Sequence, residues 1–550
     1  MIPIQVYVVL RKALLFVCLS LPMQLMADKC GTFGSHFKSR QEAISKGERI
    51  LAPDLPFSFL SENKHFLIHY ALTGNGSVDP RDNDRNTIPD YVEACARAFE
   101  YAYVVEVDSM GFLPTPNNGE NGSAPYDVYI IEFADQGFYG LTTVRESLPN
   151  STNKHAYSLT YIEVDNNYSP NDKNAFGNQS FNTFGLDALN ITAAHEYHHA
   201  IQLANYGMND QQYDVSFYEM FSTWLEFHLY PEIKDYHFYV KDYFLEPRKN
   251  RFGQRNVQEI SSGYANALFL EYLHDKVGNA PLIQIWQEIG RKTYAYHALE
   301  MTLQANFTPL HQLWCGYQER VFQTGIRAID KDSNEVFRDA RTFPELIGAI
   351  EVADPTALFT GTIYPYESRL STCILPSFTE IADTAHILIS IAYQDFFRNF
   401  GSQDMSFSIA INGNSNNTPI GLSNYYADIN TSSIPFCSVI RLAGGKYDLP
   451  AERVYPNPVL LSKHKTINFP VPSTSIVGDK VQLNIFTPSG MPVLAKQLAI
   501  IIDYDNTTPY MNTLVARLDE ILDLKPGVYL FTLTDTEKTD SYSGKFIVKP

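Results

Sequence analysis

The longest apolar run lies at the start of the chain: Arg11 and Lys12 precede Ala13–Leu21, and Pro22 leads into a stretch ending at Ala27. A basic region, a short apolar core and a small residue at the end have the form of a secretory signal peptide over residues 1–27. That core is too short to span a bilayer as a helix, so no transmembrane helix is expected in the mature chain. From about residue 63 to 340 two periodicities mix. His65–Tyr70 and Tyr126–Phe133 are rich in β-branched and aromatic residues and predict strands. Asp90–Val105, Leu186–Tyr206 (stopped by Gly207), Phe217–Tyr230 (stopped by Pro231), Tyr264–Lys276 and Pro281–Arg291 predict helices. Beyond about 345 the helical signal fades. Short alternating segments such as His386–Ala392 and Met405–Asn412 lie between Asn, Ser, Gly and Pro clusters, as in a β-sandwich. After Tyr455-Pro-Asn-Pro458 the chain again reads as strands, including Val481–Phe486, with turns at Ser489-Gly490 and Pro526-Gly527. The fold class expected is therefore α+β: a mixed domain over 28–340, a β-sandwich over 341–450 and a second small sandwich over 455–550.

Charge and cysteine content narrow the function classes. The formal net charge is −19, and the apolar leader carries two cations and no acid, so the remainder is more acidic still. An acidic surface argues against nucleic acid and anionic membranes as partners. Of the six cysteines, Cys18 falls in the leader and none of the others forms a CxxC pair, which disfavours a cysteine zinc site. Export permits disulfides, and Cys373 with Cys437 in one β-rich region makes a plausible pair. Five mature cysteines leave at least one unpaired.

The chemistry concentrates in Ala194-His-Glu-Tyr-His-His-Ala200, which contains H-E-x-x-H as His195, Glu196 and His199. On a helix, positions i and i+4 share a face, so both imidazoles reach one ion and Glu196 can polarise a water there. His198 points elsewhere. Two histidines do not close a tetrahedral site, so a third ligand is required. The competing reading is a surface helix that happens to carry polar residues.

Nineteen residues separate His199 from Glu219, in Tyr218-Glu-Met-Phe-Ser-Thr-Trp-Leu-Glu226. Here the chain resembles the gluzincin zinc metallopeptidases, and most closely their aminopeptidase and leukotriene-hydrolase branch, whose ligand segment reads E-G-x-x-x-x-L-E. Met220 departs from that pattern at the glycine. The resemblance implies zinc held by His195, His199 and Glu219, with Glu196 as general base. Glu226, two helical turns beyond Glu219 on the same face, is implied as the partner that orients a ligand histidine. Tyr264-Ala-Asn-Ala resembles the branch's Y-E-K-G helix start, which implies that Tyr264 donates its hydroxyl to the oxyanion. Among 35 tyrosines, a packing role is the alternative. The G-x-M-E-N segment by which aminopeptidases capture a free amino terminus is absent, which favours an endopeptidase.

Two further segments carry their own chemistry. Asp82, Asp84, Asn86, Asp90 and Glu93 stand at positions 1, 3, 5, 9 and 12 of a loop in which Ile88 offers its carbonyl at position 7. That is the ligand order of an EF-hand calcium loop, although Thr87 replaces the usual glycine and Pro89 follows Ile88. The segment also resembles a D-x-N-G-N-G-I-P-D-Y stretch of secreted bacterial metallopeptidases; the alternative is a solvated turn with Asp90 capping the next helix. At the other end, Tyr455–Pro458, Ser489-Gly490, Leu524–Tyr529 and Gly544–Pro550 together resemble the sorting domain of the type IX secretion system. This implies export and then release from, or attachment to, the outer-membrane surface, with the secretion machinery as partner. The alternative is another adhesion-type sandwich.

The function expected is a secreted zinc peptidase acting on protein or peptide. Two others are carried beside it: a surface binding protein whose zinc is inactive or structural, and hydrolysis of a non-peptide amide or ester. A fourth protein ligand on the metal would favour the binding protein.

Overall fold

The computed structural model describes residues 29–33, 42, 44, 46, 50–116, 125–148, 157–207, 214–253, 260–306, 308–328, 331–346, 348–352, 358–375, 383–392, 394–399, 405–412, 426–431, 437–439, 442–446, 454, 459–462, 464, 466–471, 479–503, 513–519, 524–535 and 541–550. The expected leader and Tyr455–Pro458 lie outside the described residues. The protein is mixed α and β with several sheets. It divides into two compact units, one running to Gly207 and taking in Leu225–Ile233, the other comprising Met208–Trp224 and Lys234–Pro550.

The first unit is built on a five-stranded sheet of β1 (Phe57–Leu60), β2 (Phe66–Tyr70), β3 (Tyr126–Ile131), β4 (Gly140–Leu148) and β5 (Tyr157–Asp165), in the order β1-β2-β3-β5-β4. The three central strands β2, β3 and β5 run parallel; β1 and β4 are antiparallel edges. Parallel strands need crossovers, and α1 (Asp90–Tyr103) makes the one from β2 to β3. After β5 comes α2 (Gly185–Ile201), continued by a π-helical turn over Gln202–Tyr206 and ended by Gly207 at φ 70°. That is the stop the sequence predicts, in the left-handed region glycine tolerates. From Ile191 to Ile201 every residue of α2 is buried. A helix buried all round is a core helix, so H-E-x-x-H does not lie on a surface.

Helix α3 (Val215–Leu229) begins in the second unit and ends in the first. The second unit continues with α4 (His237–Leu245), α5 (Ile260–Ala265), α6 (Ala267–Val277), α7 (Asn279–Gly290), α8 (Ala295–Ala305) and α9 (Leu310–Phe322). The single helix expected over Tyr264–Lys276 breaks at Asn266, whose side-chain amide donates to the carbonyls of Ser262 (2.7 Å) and Asn250 (3.0 Å). Such side-chain competition for the backbone is what makes asparagine a poor helix interior. Strands β6 (Gly348–Val352), β8 (Arg369–Leu375), β9 (Asp383–Ala392), β12 (Cys437–Val439) and β13 (Leu442–Lys446) form one sheet; β7 (Leu358–Ile363), β10 (Met405–Asn412) and β11 (Tyr426–Thr431) form another. Trp314 of α9 donates to Ser390 of β9 at 2.7 Å, and the Ser368 hydroxyl donates to Gln318 at 2.7 Å, so helices and sheet share a core.

The C-terminal strands β14 (Val459–Leu460), β15 (Thr466–Pro470), β16 (Lys480–Phe486), β17 (Pro492–Asp503), β18 (Thr513–Asp519), β19 (Gly527–Asp535) and β20 (Ser541–Lys549) follow the order β14-β20-β19-β16-β17-β18-β15. Strand β17 pairs with β16 over its first part and with β18 over Ile500–Asp503. Alternate residues Val481, Leu483 and Ile485 enter a core with Phe469, Phe531 and Phe546. Gly490 makes its turn at φ 83°. Cys315 is disulfide-bonded, whereas Cys30 and Cys95 are buried free thiols. Among the described residues no helix is long and apolar enough to cross a membrane.

Candidate metal centre

Because α2 is regular through the motif, His195 and His199 fall one turn apart and face the same way, with their Nε2 atoms 3.0 Å from each other. Their other ring nitrogens are engaged. His195 Nδ1 lies 2.6 Å from Glu226 Oε1, and His199 Nδ1 lies 2.8 Å from the Gln202 side-chain oxygen. An amide oxygen only accepts, and Glu226 Oε2 also accepts from the buried ammonium of Lys29. Both Nδ1 atoms thus face acceptors, which leaves the two Nε2 atoms side by side as donors available to one metal ion.

Glu219 and Glu226 are seven residues apart on α3, two turns along one face. Glu226 is fixed beside His195, and the rigid helix thereby carries Glu219 to the same side. Cys30, His195, His199 and Glu219 each offer a donor atom, all within 4.8 Å of one another, and all four residues are buried. This cluster can hold a metal ion. Two imidazoles, a carboxylate and a thiolate are a donor set that suits a tetrahedral, borderline-soft ion.

Glu196 is 1% exposed. Its Oε2 accepts from the hydroxyls of Thr32 (2.9 Å) and Thr142 (2.8 Å). The close approach of β4 needs glycine at 140, since a Cβ there would lie 2.7 Å from Thr192 Cγ2 and 2.8 Å from Glu196 Cγ. His198 faces away, as expected, with Nδ1 3.0 Å from Glu106 Oε2 and its ring edge-on to Phe112. Burial pushes His198 well below and Glu106 well above their ordinary values, which makes theirs a neutral hydrogen bond.

Tyr264 is buried on α5 with its ring 5.4 Å from Tyr239. The residue before it, Gly263, lies against α3: a Cβ there would meet Ser216 O at 2.5 Å and Glu219 Cβ at 2.8 Å. The acidic loop is exposed. Thr87 stands at φ 78°, the left-handed conformation for which a glycine is usual, and Arg85 at φ 63°. Asp82 accepts from the amides of Asn86 (3.0 Å) and Thr87 (2.8 Å), the Asn86 side chain donates to Asp84 (3.0 Å) and Glu93 (2.7 Å), and Ile88 N donates to Asn86 Oδ1 (2.8 Å). Asp90 folds back to accept from Asn83 N at 3.0 Å.

Sequence reasoning missed Cys30, Lys29, Thr32, Thr142 and Gln202. Only Gln202 left a local signal, three residues after His199 and so on its helix face. The others reach the centre through strand pairing across more than a hundred residues.

Fold and centre together define a mixed α/β protein with a buried cluster fit for one metal ion. Residues 56–308, less than half of the chain, match a protein family described as a family of unknown function (DUF6055). No curated protein and no solved structure matches the chain.

Proposed function

We propose that the protein is an exported zinc metallopeptidase of the gluzincin kind, cutting within polypeptide chains. The observation that carries the reading is the buried donor cluster of His195, His199 and Glu219, in which the two Nε2 atoms lie 3.0 Å apart and each ring faces an acceptor at Nδ1, with an acid at the intervening motif position. His195, His199 and Glu219 hold the zinc. When bound, the metal supplies a Lewis acid that polarises the scissile carbonyl and acidifies water toward about 7. Glu196 takes the proton of the attacking water and returns it to the leaving amine nitrogen. Glu226 keeps His195 in the tautomer that ligates. Tyr264, on the helix packed against Glu219, is the proposed donor to the oxyanion. The acidic loop is a calcium site that stabilises the chain and takes no part in the chemistry. The C-terminal strands are a sorting module for type IX secretion, which with the leader directs the protein outside the cell or onto its outer surface.

Cys30 favours a second reading, because a fourth protein donor closes a zinc site and makes it structural. In that case the protein is a surface binding module. Metal content and casein hydrolysis, measured for Glu196→Gln and its parent in both the native and a Cys30→Ala background, separate the two. The peptidase reading expects one zinc per chain throughout, and hydrolysis in the Cys30→Ala parent that Glu196→Gln slows by about 10²–10⁴-fold. Zinc in every protein and hydrolysis in none would favour the binding module. Absence of zinc from all four would end both.

A further inference from the structure

We propose that Lys29–Phe33 is an inhibitory strap, whose Cys30 thiolate takes the open metal position and keeps the enzyme latent until the strap is displaced. The proposal rests on the peptidase reading above.

The strap binds as an added strand. Cys30 pairs in parallel with Gly140 on the edge strand β4, Gly31 N donates to Gly140 O at 3.0 Å, and Lys29 O accepts from Tyr139 N at 2.9 Å. An edge strand offers its free backbone groups to any extended peptide, so a peptide docked there occupies the place a substrate would use. The side chains then engage the centre member by member. Lys29 pairs with Glu226 and lies 5.5 Å over the Tyr139 ring. Cys30 completes the donor cluster. Thr32 donates to the general base Glu196 at 2.9 Å, and Phe33 sets its ring edge-on to His199 at 5.0 Å. Gly31 lets the strap lie this close, since a Cβ there would meet the Phe138 ring at 2.8 Å.

Cys30 and His199 are wholly buried, so no carbonyl reaches Glu196 while the strap is seated. The backbone N–H of Thr32 donates to Cys30 Sγ at 3.3 Å, a contact that stabilises a thiolate. Binding to the metal requires the thiol to give its proton to solvent, and the reverse step restores the open position. The strap also lies outside the framework it blocks. The sheet begins at Phe57, so displacing residues 29–33 removes none of its strands or helices. A permanent structural site has no use for a carboxylate base held by hydroxyls beside it.

The test uses the exported protein and Cys30→Ala, each loaded with cobalt(II) for spectroscopy and with zinc for assays. The wild type should show a near-ultraviolet sulfur-to-cobalt charge-transfer band that Cys30→Ala lacks. Peptide mapping after alkylation should find Cys30 modified at least about tenfold faster once the metal is chelated, with buried Cys95 as the unreactive control; this arm needs no variant. Casein hydrolysis should rise at least about tenfold in Cys30→Ala, in proportion to the fraction of open sites. An absent band, metal-independent alkylation and equal hydrolysis by both proteins would overturn the strap and leave the peptidase reading standing. A band lost in Cys30→Ala without any gain of hydrolysis would overturn the strap by making Cys30 a permanent structural ligand. Failure of both proteins to bind cobalt would remove the peptidase reading and the strap with it.

Discussion

Glu226 serves two partners with its two oxygens: Oε1 lies 2.6 Å from His195 Nδ1 and Oε2 accepts from the Lys29 ammonium, all at 2% exposure or less. In Glu226→Gln an amide nitrogen must face one of those donors. Loss of the carboxylate behind a ligand histidine weakens a metal by about 10–100-fold. The buried Lys29 left without its charge partner adds an expected cost of about 3–5 kcal/mol to folding. Competition against a graded chelator reads the first effect and urea unfolding the second; an unchanged metal affinity would refute the role assigned to Glu226. Helical periodicity puts His195 with His199 on one face of a helix and Glu219 with Glu226 on one face of another, whereas only the resemblance to gluzincins implies that the second pair belongs beside the first. The sequence leaves Cys30 and Thr32 dark, since their place depends on pairing with Gly140 and Thr142, and no local pattern encodes a partner 110 residues away.

At the scale of elements, the least legible piece is the one nearest the centre. Strand β4 reads Gly-Leu-Thr-Thr-Val-Arg-Glu-Ser-Leu, with a register shift between Val144 and Glu146, so neither face keeps a clean apolar alternation. What matters in it is the glycine. Gly140→Ala puts a methyl group against Thr192 and Glu196 on the buried stretch of α2, so the clash is expected to cost about 1–3 kcal/mol and to displace the Glu196 carboxylate. Thermal unfolding and the hydrolysis rate on the Cys30→Ala background should fall together; unchanged values for both would show that α2 and β4 can separate freely. In the acidic loop the order of oxygen-bearing side chains was legible and the backbone was not: Thr87 holds the left-handed turn in place of glycine. If calcium fills it, a hundredfold excess over Kd should stabilise the folded protein by about 2.7 kcal/mol. A melting shift seen with calcium, not with magnesium, and lost in Asp82→Asn supports the site, and no shift at millimolar calcium refutes it.

For the molecule as a whole, the mixture of α and β and the passage to strands after about residue 345 follow from periodicity, but the joining of helices to sheet does not. In the second unit that joint includes Glu300 of α8. Its two oxygens accept from the amides of Phe396 (3.0 Å) and Arg398 (3.2 Å) on the short helix Phe396–Asn399, beside an aromatic cluster of Tyr296, Tyr366 and Phe397. Burial raises the Glu300 carboxyl to about 7, outweighing the amide of Arg398, which favours the anion, with Asp395 adding repulsion. The folded protein holds a proton here that the unfolded chain, with a value near ~4.3, has released, so the stability this provides is present at low pH and lost as pH rises through about 7. Glu300→Gln removes the titration but turns an N–H toward the Arg398 amide, forfeiting one hydrogen bond worth about 1 kcal/mol. The variant should therefore melt below the wild type at pH 5, and the gap should close or reverse by pH 8 as the wild type alone loses on the order of 1–3 kcal/mol. Melting curves that stay parallel from pH 5 to 8 would mean that Glu300 is ionised throughout and that the amides of Phe396 and Arg398 outweigh its burial.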